Sequence, residues 1–184
     1  MTIRINRKRF LIVCILAAVI LAAIIGYRPA LRQFVYPCKY QEIVERAALE
    51  YEVDPLLVYS IIKAESSFRE DATSSKGAKG LMQITDETAQ WAYGKMDFSQ
   101  ESNIYSPEVN IHVGTWYIAK LLKDNDHSLI AALASYNAGG SNVERWKDDA
   151  GTDQIEQEDI QFGETGKYVE KTLKYYKSYQ NLYR

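Results

Sequence analysis

The sequence predicts an all-α protein, with one helical domain behind a hydrophobic N-terminal helix long enough to cross a membrane. Three observations predict it. Apolar residues recur at helical rather than alternating spacing through nearly the whole of residues 41–183. Helix-start signals recur at Asp54-Pro55, Thr85, Ser106-Pro107 and Ser128. Finally, an unbroken apolar run of sixteen residues, 10–25, follows the basic cluster Arg4, Arg7, Lys8 and Arg9.

The N-terminal part divides into a basic cytoplasmic end (1–9), a transmembrane anchor (10–27) and a linker (28–39). A spanning helix needs about 17–25 residues, whereas the core of a cleaved signal peptide runs to about 7–15. Counting Gly26 and the interfacial Tyr27, the run reaches the spanning range, and no Ala-x-Ala cleavage pattern follows it. An uncleaved anchor is expected. Positive residues stay on the cytoplasmic side, which places everything after Tyr27 outside the membrane. Cys14 reads as apolar filler within the run rather than a lipid-attachment site. The connector from Gly26 to Lys39 contains Pro29 and Pro37; fully extended, its fourteen residues reach at most about 45–50 Å, which keeps the domain near the bilayer.

The domain, residues 40–184, reads as a series of helices. Ile43, Val44, Ala47, Ala48 and Tyr51 give 41–51 an apolar face. Asp54 then caps a helix with Pro55 in its first position, apolar through Ile61 and Ile62 and ending near Glu65-Ser66. A looser stretch covers 67–80. Thr85 caps a short helix whose first turn holds Asp86 and Glu87, where the dipole favours acids. Ser106-Pro107 opens a helix through Leu121, and Ser128 opens one that breaks at Asn137-Ala138-Gly139-Gly140. A turn of helix with Trp146 follows, and 164–183 forms the last helix with Tyr168, Val169 and Thr172 on one face.

Charge and composition exclude some functions. The five basic residues up to Arg28 face no acid there, so residues 29–184 carry −7, five below the −2 of the whole chain. An acidic ectodomain argues against nucleic acid as a partner. Its single cysteine, Cys38, cannot pair with Cys14 in the membrane, so the domain relies on its core. His112 and His127 stand apart and read as ordinary helical residues; neither a metal nor a cofactor is expected.

Glu65 is the residue that physical reasoning singles out. A carboxyl at the tip of an apolar helix loses solvent, which raises its pKa and lets it hold a proton near neutrality. A surface glutamate at a helix end fits the same spacing, and the pattern alone leaves both open.

Four segments in order then resemble one family. Glu65-Ser66-Ser67-Phe68 with Gly77-Ala78-Lys79-Gly80-Leu81-Met82-Gln83-Ile84 is similar to the signature of soluble lytic transglycosylases, whose catalytic domain is lysozyme-like. Ser106-Pro107-Glu108-Val109-Asn110-Ile111 with Gly114 and Tyr117 resembles the family's next helix. Ala134-Ser135-Tyr136-Asn137-Ala138-Gly139 resembles its Ala-x-Tyr-Asn-Ala-Gly motif, and Glu164-Thr165 with Tyr168-Val169 its Glu-Thr-Arg-x-Tyr-Val motif.

The resemblance implies a peptidoglycan enzyme that cleaves between N-acetylmuramic acid and N-acetylglucosamine without water. Glu65 would protonate the glycosidic oxygen, then accept the proton of the muramic C6 hydroxyl as a 1,6-anhydro ring closes. The substrate's acetamido group would replace a second carboxylate. Ser66 is expected to orient the carboxyl or the sugar. Met82 and Gln83 are expected to line the cleft, with Gln83 bonding sugar amides. Tyr136 and Asn137 would face the cleft where a helix breaks, Tyr168 would bond near the scissile sugar, and Glu164 would brace beside it. Where the family has Arg, this chain has Gly166, followed by Lys167. That loss removes a bidentate partner which Lys does not replace equivalently.

Two alternatives accompany this reading. One is a hydrolytic muramidase of the same fold, with Asp86 or Asp97 as the nearby second carboxylate. The other is a non-catalytic peptidoglycan-binding module. The expected partners are glycan strands, the membrane through the anchor, and an assembly that remodels or crosses the wall.

Overall fold

The computed structural model describes residues 7–96 and 102–184; Arg4 and Asp97 lie outside them. The chain divides into two units, one ending at Cys38 and one beginning at Lys39.

Among its described residues the first unit is helical almost throughout. Helix α1 runs Arg7–Ala30 and continues as a π-helical turn, Leu31–Val35. The linker expected to start at residue 28 is therefore helical as far as Val35. Pro29 removes one donor and loosens the register, but Leu31, Phe34 and Val35 continue the apolar sequence and the helix carries on past it. The stretch Leu11–Val35 is long and apolar enough to cross a membrane. Its 25 residues rise about 37 Å, more than the roughly 30 Å of a hydrocarbon core. Neither Cys14 nor Cys38 forms a disulfide.

The second unit holds seven α-helices among the described residues: α2 (Gln41–Glu50), α3 (Pro55–Glu65), α4 (Asp86–Tyr93), α5 (Pro107–Asp124), α6 (Leu129–Ala138), α7 (Gly140–Ala150) and α8 (Gly163–Tyr183). Their starts follow from local chemistry. Asp54 Oδ1 accepts from Leu56 N at 2.9 Å, Thr85 Oγ1 from Thr88 N at 3.2 Å, and Ser128 Oγ from Ala131 N at 3.3 Å. Each such cap stabilises its helix by about 1 kcal/mol. Ser106 occupies the cap position before Pro107, but its hydroxyl makes no capping bond. Between α3 and α4 the chain turns repeatedly, with only isolated bridges of Thr73 to Lys79 and Lys79 to Ile84.

Helix α6 is the centre of the domain. Its Leu-Ile-Ala-Ala-Leu-Ala sequence is apolar on all sides, the mark of a helix surrounded by protein. Ala131, Ala132, Leu133 and Ala134 are buried, and α5, α7 and α8 pack around them. Helix α3 lies along α8, where Tyr59 stacks on Tyr179 at 5.8 Å. Ile61 and Ile62 are wholly buried, each worth about 1.5–3 kcal/mol. Tyr176 Oη donates to Asp54 Oδ2 at 2.6 Å and Arg184 pairs with the same carboxylate, so the end of α8 is tied to the start of α3.

The turn region is fastened to α5 by one side chain. Asn110 is fully buried; its Nδ2 donates to Lys79 O at 2.9 Å and Ile104 O at 2.8 Å, and its Oδ1 accepts from Met82 N at 2.7 Å. Gly80, at φ +75°, lies so close that a Cβ there would come within 2.4 Å of Asn110 Nδ2. A Cβ on Gly114 would come equally near Met82 Sδ, 2.4 Å. The two glycines and Asn110 thus set the height of the Gly80–Gln83 segment above α5.

His112 is helical as expected, buried on α5 with Glu50 and Glu108 within 3.5 Å and 3.4 Å of its ring nitrogens. His127 differs: it stands in a left-handed turn at φ 62°, where the chain reverses before Ser128. No group of His, Cys, Asp and Glu among the described residues could hold a metal ion.

Candidate active site

Glu65 ends α3, one turn after Ile61 and Ile62. Loss of solvent there pushes its carboxyl up from 4.5 to about 7, against the opposing pull of the Tyr168 hydroxyl and the Lys171 ammonium. A carboxylic acid near pH 7 holds and releases a proton with similar ease, which suits a group that must do both.

Tyr168 comes from α8 and is 6% exposed. Its hydroxyl has no partner at full hydrogen-bond geometry among the described residues, yet it stands close enough to Glu65 to favour the charged carboxylate. Such loose contacts are common before substrate closes a site. Burial and the neighbouring Glu65 both push the Tyr168 hydroxyl well above its usual range, so it stays a donor.

Tyr136 links Glu65 to a groove. Its hydroxyl donates to Met82 O at 2.8 Å, and burial followed by the Glu65 charge raises its pKa. The same ring lines a groove of about 520 Å³ together with Gln83, Glu87, Trp91, Asn137 and Ser141. Gln83 sits at φ 51° and turns its Nε2 to Ala72 O (3.1 Å) and Gly80 O (3.0 Å). Both amide hydrogens are thereby engaged, leaving Oε1 as the group that can accept from a ligand. Asn137 Oδ1 accepts from Thr165 Oγ1 at 2.9 Å, which leaves its Nδ2 as the donor toward the groove.

Three expected site residues lie elsewhere. Ser66 is buried and its hydroxyl donates back to Ile62 O at 3.3 Å, closing the helix end. Met82 is also fully buried, because Gly114 opens a socket for its side chain; its backbone carbonyl holds Tyr136 instead. Glu164 is exposed on the first turn of α8 and faces Lys76 at 3.7 Å, a surface pair worth little. Asp86, the described candidate for a second carboxylate, is exposed and bound by Lys79 at 2.6 Å.

Other residues were not singled out by their pattern. Glu87, read only as a helix-dipole acid, faces the groove. Trp91 is 42% exposed there and is held edge-on against Trp116, 4.9 Å between ring centres. Lys171 reaches back to α3 and donates to Ala64 O at 2.8 Å. Its one signal was position, three residues after Tyr168 and hence on the same face of α8. At the departure from the Arg motif, Gly166 O accepts from Gln157 Nε2 at 2.8 Å and Lys167 is exposed.

The sequence pattern of the transglycosylase SLT domain matches residues 42–158, a stretch that carries Glu65, Gln83, Tyr136 and Asn137. The chain belongs to this family. Helix α8, with Tyr168 and Lys171, lies beyond the matched stretch of the SLT domain. Among its relatives is a membrane-bound lytic murein transglycosylase C of Edwardsiella ictaluri, 35% identical over 118 residues, covering 58% of this chain and 33% of the relative. The soluble lytic murein transglycosylase of Escherichia coli is 29% identical over 147 residues, 76% of this chain and 23% of the relative. In three dimensions the chain resembles the 70 kDa soluble lytic transglycosylase of Escherichia coli, with TM-score 0.75 and 28% identity over 88% of this chain and 27% of that one. It likewise resembles an inactive glutamate-to-glutamine mutant of lytic transglycosylase Slt from Pseudomonas aeruginosa, with TM-score 0.72 and 28% identity over 79% of this chain and 24% of that one. The chain spans about a quarter to a third of the length of the curated relatives it matches.

Proposed function

We propose that this chain is a peptidoglycan lytic transglycosylase with Glu65 as its single acid and base. The observation that carries the reading is the Glu65 carboxyl itself, brought near pH 7 by burial and placed between two tyrosines, one of which lines the groove.

Glycan lies in the groove with its N-acetyl groups against Gln83 Oε1 and Asn137 Nδ2. Protonated Glu65 gives its proton to the oxygen joining N-acetylmuramic acid to N-acetylglucosamine, and the bond to C1 breaks. The acetamido group of the muramic residue supports the positive charge at C1. Glu65, now a carboxylate steadied by the Tyr168 hydroxyl, takes the C6 hydroxyl proton as that oxygen closes on C1. The first proton leaves on the freed N-acetylglucosamine hydroxyl, the C6 proton restores the Glu65 acid, and a 1,6-anhydro end is left. The names of the relatives and the inactivity of the glutamate-to-glutamine mutant of Slt support a mechanism of this kind.

Helix α1 acts as a single-pass anchor, with residues 1–9 cytoplasmic and 40–184 outside. Support comes from the basic cluster, the apolar span Leu11–Val35 and the membrane-bound relative. The anchor confines cleavage to glycan near the membrane, where an assembly must build or cross the wall.

One observation favours a second reading. Glu87 is a carboxylate in the groove, and with a water it could serve a hydrolytic muramidase. Digestion of purified sacculi by the full chain, followed by product mass analysis, separates the two. Anhydro ends, lighter by one water and absent with Glu65→Gln, are expected; reducing muramic ends that vanish with Glu87→Gln would establish hydrolysis. Binding without cleavage by the wild type would leave only a wall-binding module.

A further inference from the structure

The C-terminus of α3 is an awkward place for a catalytic acid. The last carbonyls of a helix have no partner within it, and they carry the negative end of the helix dipole. A carboxylate formed there meets the dipole, the loss of solvent and the apolar side chains of its own helix, all of which disfavour charge. Burial alone suits the step in which Glu65 holds a proton. The following step needs the carboxylate to exist long enough for the C6 hydroxyl to approach.

One side chain answers all of these conditions. Lys171 extends from α8 across to α3 and donates from Nζ to Ala64 O at 2.8 Å, on the residue next to Glu65. That bond satisfies an orphan carbonyl and puts a positive charge at the negative end of the helix. The same ammonium lies 5.9 Å from the centre of the Tyr168 ring, at the outer edge of cation–π range. Tyr168 and Lys171 are three residues apart, so one face of α8 presents the hydroxyl and the cation together. Thr172 Oγ1 bonds the Tyr168 carbonyl at 2.8 Å and fixes the turn between them.

A second cation stands at this helix end, Arg69, whose Nε donates to Ser66 O at 3.2 Å just past Glu65, but it is Lys171 whose charge acts on the Glu65 carboxyl, and the remaining groups do not duplicate it. From α6, Tyr136 supplies a neutral phenol whose hydroxyl is engaged by Met82 O. From α3 itself, Lys63 sits over the Tyr175 ring at 5.0 Å, and solvent loss disfavours its charge. Lys167, one turn earlier on α8, is exposed and is not among the charges that act on the Glu65 carboxyl.

We propose that Lys171 is a positioning residue for Glu65, pinning the end of α3 through the Ala64 carbonyl and supplying the fixed positive charge that steadies the Glu65 carboxylate in the base step. The proposal rests on the Glu65 reading above. Lys171 neither touches the reacting atoms nor carries the proton. Because its side chain is exposed, its influence is screened by salt.

The test is the pH profile of kcat/KM on purified glycan, with the full chain in detergent micelles. Wild type, Lys171→Met, Lys171→Gln, Lys171→Arg and Glu65→Gln are compared, each checked for folding by circular dichroism. The alkaline limb reports loss of the Glu65 proton. Removing the cation raises the Glu65 pKa and moves the limb upward, by about half to one pH unit at low salt and less at high salt. Lys171→Met and Lys171→Gln are expected to show that shift with a several-fold fall in the maximum, and Lys171→Arg to keep the wild-type limb. If Met unfolds the domain, Gln carries the same comparison. A wild-type limb in either folded neutral variant overturns the proposal, as does an Arg variant shifted as far as Met. Full activity in Glu65→Gln would instead remove the Glu65 reading, a distinguishable outcome.

Discussion

Replacing Asn110 by Ala tests how the groove is held up. The buried Asn110 amide serves Lys79 O, Ile104 O and Met82 N at 2.9, 2.8 and 2.7 Å. Alanine leaves Ile104 O and Met82 N without that partner, while Lys79 O keeps the bond from Ile84 N at 2.9 Å. An unsatisfied buried group costs about 1–3 kcal/mol, and partial relaxation makes two of them less than additive, so a loss of about 2–5 kcal/mol is expected. For a domain of this size each kcal/mol lowers Tm by about 3–5 °C, so the melting point should fall by roughly 6–20 °C. Urea unfolding of the full chain in micelles, followed by circular dichroism, measures it directly. Activity should fall further than stability accounts for, because Met82 and Gln83 lose their fixed height above α5. Gly80→Ala adds a methyl 2.4 Å from the Asn110 amide, and its cost should shrink when Asn110 is already alanine. A stability loss under about 1 kcal/mol, or strict additivity of the two substitutions, would show that Asn110 does not hold this segment.

Glu65→Gln should lower activity by about 10²–10⁴-fold while changing the pH dependence of stability. Glu65 binds its proton more tightly folded (about 7) than at its ordinary 4.5, so its contribution to stability is lost as pH rises through that window. The glutamine variant should lack the decline, by roughly 2–3 kcal/mol, as unfolding at pH 5 and pH 8 will show. The wild-type kcat/KM should fall above about pH 7, since the acid step needs the proton. Gly114→Ala puts a Cβ 2.4 Å from Met82 Sδ and should cost about 1–3 kcal/mol by melting, because the sulfur has no free space to retreat into. Trp91→Ala should raise KM about 2- to 10-fold with little change in kcat in steady-state assays, since its exposed ring lies in the groove away from the proton.

The helices were legible because their signals are local. Asp54, Thr85 and Ser128 cap as their sequence neighbours require, and the apolar periods of α2, α3 and α8 face the core they predict. Glu65 was legible for the same reason: the greasy turn before it is written in adjacent residues. What escaped depends on residues far apart. Met82 is sunk beneath the groove floor because Gly114, 32 positions later, offers a socket. Ser66 bonds its own helix rather than a ligand, a choice between near-equal acceptors that the chain order does not reveal. Lys171 reaches Ala64 over 107 residues, and Glu87 faces the groove only because α4 is rotated that way against α5. The helical continuation past Pro29 went unread since proline is a strong breaker in water-exposed sequence, while the apolar residues after it carry the helix on.

The most direct measurement is the titration of Glu65 itself, by the carbon shift of its labelled carboxyl in the full chain. A midpoint near pH 7 is expected, moved by removing Lys171 and by occupying the groove with glycan. A midpoint near 4.5 in the folded protein, indifferent to both, would contradict the role given to Glu65.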